Sequence, residues 1–218
     1  MNGRPKRWHT IWITGAGSGI GRATAVRVAG DGGRLILSGR DRSRLHAAGE
    51  ECRTAGAEVL ELPFDVGVEA QRREALDFLA KNSPTPDLVV HNAGVSQRET
   101  AAETAYTVDR NIMEVNYFGP VHITKALLPE MIRRGSGHVA VVSSIAGLLA
   151  SPLRSAYNAA KAAQISFFRT LRNELYDSGV DVSIVVPGFV KTSVSENALR
   201  GDGSAYARID ANQAGGVS

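Results

Sequence analysis

The sequence predicts an α/β fold, with helices on both faces of a doubly wound parallel β-sheet. Short runs of apolar and β-branched residues alternate six times with longer segments of helical periodicity. Such alternation is typical of strands joined by right-handed helical crossovers, in three α/β/α layers. The 218 residues, 43% hydrophobic and 22% charged, are enough for one soluble domain with a sizeable core.

The six strands are predicted at residues 8–14, 34–38, 58–63, 87–91, 137–143 and 181–187. Helices are predicted at residues 19–31, 42–55, 68–82, 109–134 and 154–177. Pro120 is expected to kink the fourth helix or to lie near its first turn, because proline has no N–H group to donate. We predict a single domain over residues 1–218, with a basic tail at 1–8 and a flexible substrate-loop and C-terminal segment at 188–218.

Composition argues against several classes of protein. The net charge of +3 comes from scattered residues without a basic stripe interleaved with aromatics, so no nucleic-acid partner is expected. No apolar run reaches the length of a signal peptide or membrane helix, which favours a cytoplasmic protein without a membrane partner. Cys52 is the only cysteine, so no intrachain disulfide is possible. The histidine spacing suggests no metal site, and His91 at a buried strand end is expected to be structural.

A glycine-rich turn directly follows the first predicted strand. Residues 14–21 read Thr-Gly-Ala-Gly-Ser-Gly-Ile-Gly and open the first helix. Glycines there let the backbone approach a pyrophosphate, and the helix N-terminus offers free N–H groups. A turn without a ligand is the alternative, but the strand-to-helix context favours a Rossmann-type dinucleotide site.

The end of the second strand indicates which dinucleotide binds. NAD sites usually offer an acidic residue to the ribose there, whereas this chain has Ser38, Gly39 and Arg40. Arg40 can pair with a 2′-phosphate, and Ser38 can add a hydrogen bond, so NADP(H) is favoured and NAD(H) stays possible. Asp65 and Val66, after the third strand, could meet the adenine, although an ordinary turn aspartate is nearly as well supported.

Asn92, Ala93 and Gly94 follow the fourth strand. The small residues would let the backbone pass close to the cofactor ribose, and Asn92 is expected to brace neighbouring strands.

Tyr157 precedes Lys161 by about one helical turn, so the two lie on one helix face. Lowering the pKa of a tyrosine from about 10 to about 7 takes roughly 4 kcal/mol. An ammonium at about 4 Å supplies roughly that energy at an effective dielectric near 20. The pair could therefore form an acid/base that works near neutral pH, although the same spacing occurs by chance in many proteins.

Together these features resemble the short-chain dehydrogenase/reductase family, in its single-domain branch. The resemblance covers residues 11–192 and is carried by motifs in the family's order: Thr14-Gly15-(x)3-Gly19-x-Gly21, Asn92-Ala93-Gly94, Asn116, Ser143-Ser144, Tyr157-(x)3-Lys161 and Pro187-Gly188-(x)3-Thr192. Residues 116–120, 124–129, 154–157 and 202–206 look like the member 7B-like group, whose animal members carry an N-terminal membrane anchor that this chain is expected to lack.

The resemblance implies a role for each matched residue. Tyr157 would be the acid/base, Lys161 would lower its pKa and hold the nicotinamide ribose, and Ser144 would bond the reacting oxygen in preference to Ser143. Asn116 would hold a water that links Lys161 to solvent. The resemblance implies that these residues bind the cofactor: Gly15, Ser18, Gly19, Ile20, Gly21, Ser38, Arg40, Asp65, Val66, Asn92, Ala93, Gly94, Tyr157, Lys161, Pro187, Gly188, Val190 and Thr192.

The resulting hypothesis is an NADP(H)-dependent oxidoreductase acting on a ketone or secondary alcohol, as a homodimer or homotetramer. The candidate pocket walls suggest a partly apolar substrate: Leu148, Leu149, Leu153, Phe189 and Val194. The family usually adds a helix and a seventh strand after the sixth, so its last strand is expected to be missing here. A catalytically impaired nucleotide-binding scaffold is therefore one alternative, and epimerisation or dehydration on the same fold is another.

Overall fold

The computed structural model describes residues 8–188, 190 and 197–207. In chain order its elements are β1 (Thr10–Thr14), α1 (Gly19–Ala29), β2 (Gly33–Ser38), α2 (Arg42–Thr54), β3 (Ala57–Glu61), α3 (Glu69–Asn82), β4 (Leu88–His91), α4 (Tyr106–Met113), a π-helical turn (Glu114–Phe118), α5 (Gly119–Arg134), β5 (Gly137–Val142), a 3-10 turn (Ile145–Gly147), α6 (Ser155–Glu174) and β6 (Val180–Val185).

All strand pairs in the sheet are parallel, in the order β3-β2-β1-β4-β5-β6. The chain winds outwards in one direction from β1 to β3 and in the other from β4 to β6. Loops that leave the carboxyl ends of β1 and β4 therefore diverge and open a crevice between them. This architecture confirms the α/β fold, with six strands among the described residues, and β6 is the outermost strand on its side.

Two apolar layers sandwich the sheet. Trp12, Val89 and Phe168 belong to the layer under α3 to α6, whereas Ile13 and Ala25 belong to the layer under α1 and α2. Adjacent residues of β1 thus enter opposite layers, because side chains alternate across a strand. A central strand buried on both faces reads as a continuous apolar run, as β1 does.

The helix predicted over residues 109–134 is divided by a π-helical turn. α4 ends at Met113, and the Gly119 N–H bonds the carbonyl of Glu114, five residues back. Pro120 is the second residue of α5, in agreement with the expectation that it lies near a first turn. π turns of this kind are often found at functional sites, and this one contains Asn116.

Arg72 of α3 ties this turn to the loop after β3. The buried guanidinium donates to the carbonyl of Val66 at 2.6 Å and contacts a carboxylate oxygen of Glu114 at 3.2 Å. Its Nε also donates to His122 Nδ1 at 3.2 Å, so this histidine nitrogen must be the unprotonated one. One buried cation therefore holds the loop after β3 to the π turn.

Residues 197–207, which the sequence analysis places in a flexible segment, pair with the loop after β4. Leu199 bonds the backbone of Ser96 and Arg98 at 2.9 and 2.8 Å, and Gly201 accepts from Ala105 at 2.8 Å. Ala198, in the same segment, is fully buried. Long-range backbone pairing, invisible in local composition, orders these residues; Phe189, Thr192, Val194 and the tail 1–7 lie outside the described residues.

No helix in the described ranges is long and apolar enough to cross a membrane. Within the same ranges, no three histidine, cysteine or acidic side chains come together as metal ligands would.

Candidate active site

A cleft of about 490 Å³ opens at the carboxyl ends of the strands. It runs from the turn after β1, past the ends of β2 and β3, to the start of α6. The predicted site residues in the described ranges all line it except Gly21 and Asn116, which lie directly behind its wall. The fold therefore collects into one cleft residues that are separated by up to 185 positions, from Thr14 to Leu199.

The glycine-rich turn makes the narrow floor of the cleft. Gly15 and Gly19 have φ angles of 67° and 52°, in the left-handed region that glycine adopts most easily. A side chain at Gly21 would collide with the Gly15 carbonyl and with Asn92. Ser18 caps α1 without a side-chain hydrogen bond, and the first turn has no acidic residue, so N–H groups and a positive dipole end are available to an anion.

Asn92 holds this floor in place. Its amide donates to the carbonyls of Thr14 and Gly15, both at 3.1 Å. The Thr14 hydroxyl accepts in return from the backbone N–H groups of Asn92 and Ala93, both at 3.1 Å. The bracing role predicted for Asn92 is confirmed, and Ala93 and Gly94 lie against the cleft.

Arg40 and Asp65 face each other across the other end of the cleft, 3.7 Å apart. The Arg40 side chain is 66% exposed and Asp65 28%, so a ligand can reach both groups. Ser38 is buried instead, and its hydroxyl accepts from the Trp12 indole at 2.9 Å. Arg44 of α2 also lines the cleft, and its side chain is 58% exposed.

Ser144 and Tyr157 meet where β5 ends and α6 begins. Ser144 accepts from the N–H of Ala146 in the 3-10 turn, and its side chain also bonds Tyr157. Ser143 points away, because its hydroxyl donates to the Lys161 carbonyl at 3.3 Å. The structure thus presents Ser144, rather than Ser143, to Tyr157.

The electrostatics of Tyr157 and Lys161 differ from the sequence estimate. Burial raises the pKa of Tyr157, while the Ser144 hydrogen bond and the charge of Arg154 partly lower it. Burial also lowers the pKa of Lys161, to about 7. The Lys161 ammonium lies 5.9 Å from the centre of the Tyr157 ring. The sequence argument counted the attraction between opposite charges and omitted desolvation, which disfavours the charged form of both groups.

Asn116 is fully buried behind Gly94 and Lys161. Its amide donates to the carbonyls of Ile112 and Val95, both at 2.9 Å, so the π turn is fastened to the loop after β4. The Asn116 Oδ1 atom has no hydrogen-bond partner.

His91 is buried at the end of β4, and its Nε2 lies 2.8 Å from the Thr124 hydroxyl. Burial lowers the pKa of His91 to about 3, so the ring is neutral at ordinary pH. It does not line the cleft, which agrees with the structural role predicted for it.

The substrate end of the cleft contains residues that the sequence did not single out. Arg98, Arg154 and Leu199 line it near Tyr157. The sequence carried no signal for Leu199, because only long-range pairing brings it there. Leu148 and Leu149, expected as pocket walls, are 48% and 66% exposed on the loop after the 3-10 turn and do not line the cleft.

This fold and this cleft define a class of protein: a dinucleotide-binding α/β protein with serine, tyrosine and lysine at the cleft wall. Residues 9–202 match the short chain dehydrogenase family. The chain therefore belongs to that family, which is a family of oxidoreductases.

The chain is similar to named members of this family. The chain is 42% identical over 212 residues to the Xenopus laevis "Dehydrogenase/reductase SDR family member 7B", covering 94% of this chain and 66% of that protein. It is 38% identical over 212 residues to the Drosophila melanogaster "Dehydrogenase/reductase SDR family protein 7-like", covering 95% of this chain and 65% of that protein. The chain thus spans just under two thirds of the length of these relatives.

Solved structures share the fold. A short-chain dehydrogenase from Sphingobium yanoikuyae in complex with NADPH has a TM-score of 0.84 at 27% identity, over 95% of this chain and 78% of that one. A short chain dehydrogenase/reductase from Burkholderia phymatum in complex with NAD has a TM-score of 0.82 at 30% identity, over 94% of this chain and 75% of that one.

Proposed function

We propose that the protein reduces a ketone, or oxidises the matching secondary alcohol, with NADP(H), and that Tyr157 is its acid/base. The observation that carries this proposal is the meeting of Ser144, Tyr157 and Lys161 at the wall of a cleft whose floor is a glycine cradle. The solved relatives with NADPH or NAD support a nicotinamide cofactor here as well.

The residues present fit such a cofactor. A side chain at Gly15 would lie 2.8 Å from the Ala93 Cα atom, so glycine is needed there for the turn after β1 to lie against the loop after β4. The N-terminus of α1, where the Ser18 side chain makes no capping hydrogen bond, opens into the cleft beside this turn. The α1 N-terminus would hold the pyrophosphate, and Asp65 and Val66 would border the adenine. Arg40 would pair with a 2′-phosphate, which is why we favour NADP(H) over NAD(H).

The nicotinamide supplies the hydride, and the protein orients the carbonyl and manages one proton. In the reductive direction Tyr157 gives its hydroxyl proton to the carbonyl oxygen while Ser144 donates a hydrogen bond to that oxygen. Burial raises the pKa of Tyr157 and so keeps the phenol protonated, which is the form that this direction needs. Lys161 would hold the ribose hydroxyls and supply positive charge as the phenolate forms.

The substrate end is mixed in character. Ile145 and Leu199 give it apolar surface, whereas Arg98, Arg154 and Asn197 give it polar groups. We therefore propose a carbonyl substrate that is only partly apolar.

The test is cofactor binding by NADPH and NADH fluorescence, followed by oxidation of each cofactor against a panel of ketones and aldehydes. Tyr157→Phe removes the transferable proton and should reduce turnover by at least about 100-fold, with the NADPH Kd changed less than twofold. Tyr176→Phe is the matched control, since Tyr176 is 87% exposed, and it should keep full activity.

A wild-type protein that binds neither cofactor would contradict the proposal. Binding of NADPH without turnover of any carbonyl would favour the scaffold alternative. Full activity of Tyr157→Phe would remove Tyr157 from its role.

A further inference from the structure

Gln164 lies one helical turn after Lys161 on α6 and is fully buried. Its Nε2 donates to the backbone carbonyl of Asn116 at 2.9 Å. Its Oε1 accepts from the Lys161 ammonium at 3.4 Å, and the same ammonium donates to the Val142 carbonyl at 2.9 Å. One amide therefore spans the gap between the π turn and the lysine of the cleft.

The chemistry of the two neighbours fixes the orientation of this amide. The Asn116 carbonyl can only accept a hydrogen bond, and a lysine ammonium can only donate. Reversing the amide would place a carbonyl against a carbonyl and an NH₂ group against an ammonium. Only the arrangement observed satisfies both contacts, and no apolar or acidic residue of similar size would do the same.

The Asn116 carbonyl lies in the π turn, and Pro120 removes one backbone donor that could otherwise reach it. In a regular α-helix the carbonyl of residue 116 accepts from the N–H of residue 120, four positions later. Proline has no N–H, so this partner is lost. The acceptor is buried, and leaving it unpaired would be costly, so the side chain of Gln164 supplies the missing donor.

We propose that Gln164 is a positioning residue that holds the Lys161 ammonium beside Tyr157 and favours its charged form; this inference rests on the proposed function. Gln164 joins the Lys161 ammonium to the Asn116 carbonyl through one side-chain amide. Lys161 is 3% exposed, so each acceptor around it bears strongly on whether it stays charged.

Other ionisable groups on the elements packed around Lys161 could also affect its pKa. On α6, Tyr157 is its near neighbour, and Arg154 acts on that tyrosine. Glu114 on the π turn is paired with Arg72, and α4 contributes Asp109 and Arg110, of which Arg110 is exposed. Burial lowers the pKa of Lys161 to about 7, within the range where a changed acceptor is measurable.

The direct test is the titration of Lys161 in the cofactor-free protein. The chain has five lysines, so ¹³Cε-labelled lysine gives few NMR signals, and the Lys161 signal is the one absent from Lys161→Met. Gln164→Leu removes an acceptor and should lower the titration midpoint by about one pH unit. Gln164→Glu adds a carboxylate and should raise it by at least as much.

Phe168→Leu is the matched control, because Phe168 is also fully buried on α6, one turn further along, and touches His91 rather than Lys161. It should leave the titration midpoint of Lys161 unchanged, even if it lowers the free energy of unfolding as much as the Gln164 variants do. Midpoints of Gln164→Leu and Gln164→Glu that equal that of the control would overturn the inference. The titration needs neither cofactor nor substrate, so its failure is separate from a failure of NADPH binding or turnover in the wild type.

In the active protein, the alkaline limb of the pH profile of NADPH oxidation, measured with a ketone that the wild type reduces, should move in the same direction as the NMR midpoint, because this direction needs the charged form of Lys161. A lower rate with an unchanged profile would mean that Gln164 only supports the fold, and would also overturn the inference.

Discussion

Arg40 shows at the scale of one residue how charge and exposure combine. Its guanidinium stands at the mouth of the cleft, two-thirds exposed and 3.7 Å from the Asp65 carboxylate. An exposed ion pair of this length stabilises a fold little, so its arrangement costs little to reorganise. This arrangement is compatible with the proposed exchange of Asp65 for a 2′-phosphate.

Arg40→Asp should weaken NADPH binding by roughly 10- to 100-fold, since it removes a charged hydrogen-bond donor and adds repulsion. NADH binding should change less than threefold or improve, because a ribose hydroxyl can donate a hydrogen bond to the new carboxylate. Both constants are measured by cofactor fluorescence.

Arg73→Asp is the control for this substitution. Arg73 is 68% exposed and paired with Glu69, much as Arg40 is paired with Asp65, but lies on α3 outside the cleft. It should leave both affinities unchanged. Equal losses of NADPH and NADH affinity in Arg40→Asp would contradict the assignment of Arg40 to the 2′-phosphate.

At the scale of an element, α6 carries Tyr157, Lys161 and Gln164 on the face that meets the cleft and the π turn. The N-cap residue Arg154 makes no side-chain hydrogen bond to the first turn of α6, so a residue from another part of the chain must pair with the free N–H groups there. The buried Gln97 fills this need: its Oε1 accepts from the Ala156 N–H at 3.0 Å, and its Nε2 donates to Thr104 at 2.7 Å. The loop after β4 therefore holds the first turn of α6, in which Tyr157 lies.

Gln97→Leu leaves a first-turn N–H of α6 unpaired and should lower the free energy of unfolding by about 1–3 kcal/mol. Turnover should fall by roughly tenfold with little change in NADPH affinity, since the phenol shifts while the glycine cradle does not. Denaturant unfolding and steady-state kinetics measure the two effects.

Thr104→Val separates the anchor from general packing, because it removes the Thr104 contact and keeps the bond to Ala156. We expect near-normal turnover from this variant. Turnover of Gln97→Leu at the level of Thr104→Val would show that the bond to Ala156 does not position Tyr157.

For the whole molecule, the sheet is a single buried layer, and any charge that appears inside it affects global stability. His91 is such a group, with an ordinary pKa near 6.5 lowered to about 3 by burial. Between these values the unfolded chain binds a proton that the folded chain does not, so stability falls as the pH falls from 6.5 towards 3. Above pH 6.5 both states hold the neutral ring and the effect vanishes.

His91→Gln keeps a polar group near Thr124 and removes this titration. Between pH 7 and pH 4 the wild type should lose roughly 3 kcal/mol of unfolding free energy more than the variant does. Urea unfolding at each pH measures the difference, and His9→Gln, at an exposed position, should behave as the wild type. Parallel stability curves for His91→Gln and wild type would refute this account.

The alternation of strands and helices, the glycine turn and the spacing of Tyr157 from Lys161 are local patterns, and the sequence by itself determined them. They predicted the parallel sheet, the cleft and about half of the residues that line it, because a βα unit places its loop at the carboxyl edge whatever the details of packing. The homodimer or homotetramer implied by the family resemblance stays a prediction.

Only the tertiary structure decided the rest. The π turn depends on Pro120 together with buried Arg72 and Gln164, and the pairing of Leu199 with Ser96 joins residues about a hundred positions apart. The pKa of Tyr157 is raised and that of Lys161 is lowered, in contrast to the sequence estimate, because burial removes water from both groups. Desolvation and long-range hydrogen bonds depend on what surrounds a group in space, and a one-dimensional pattern does not contain that information.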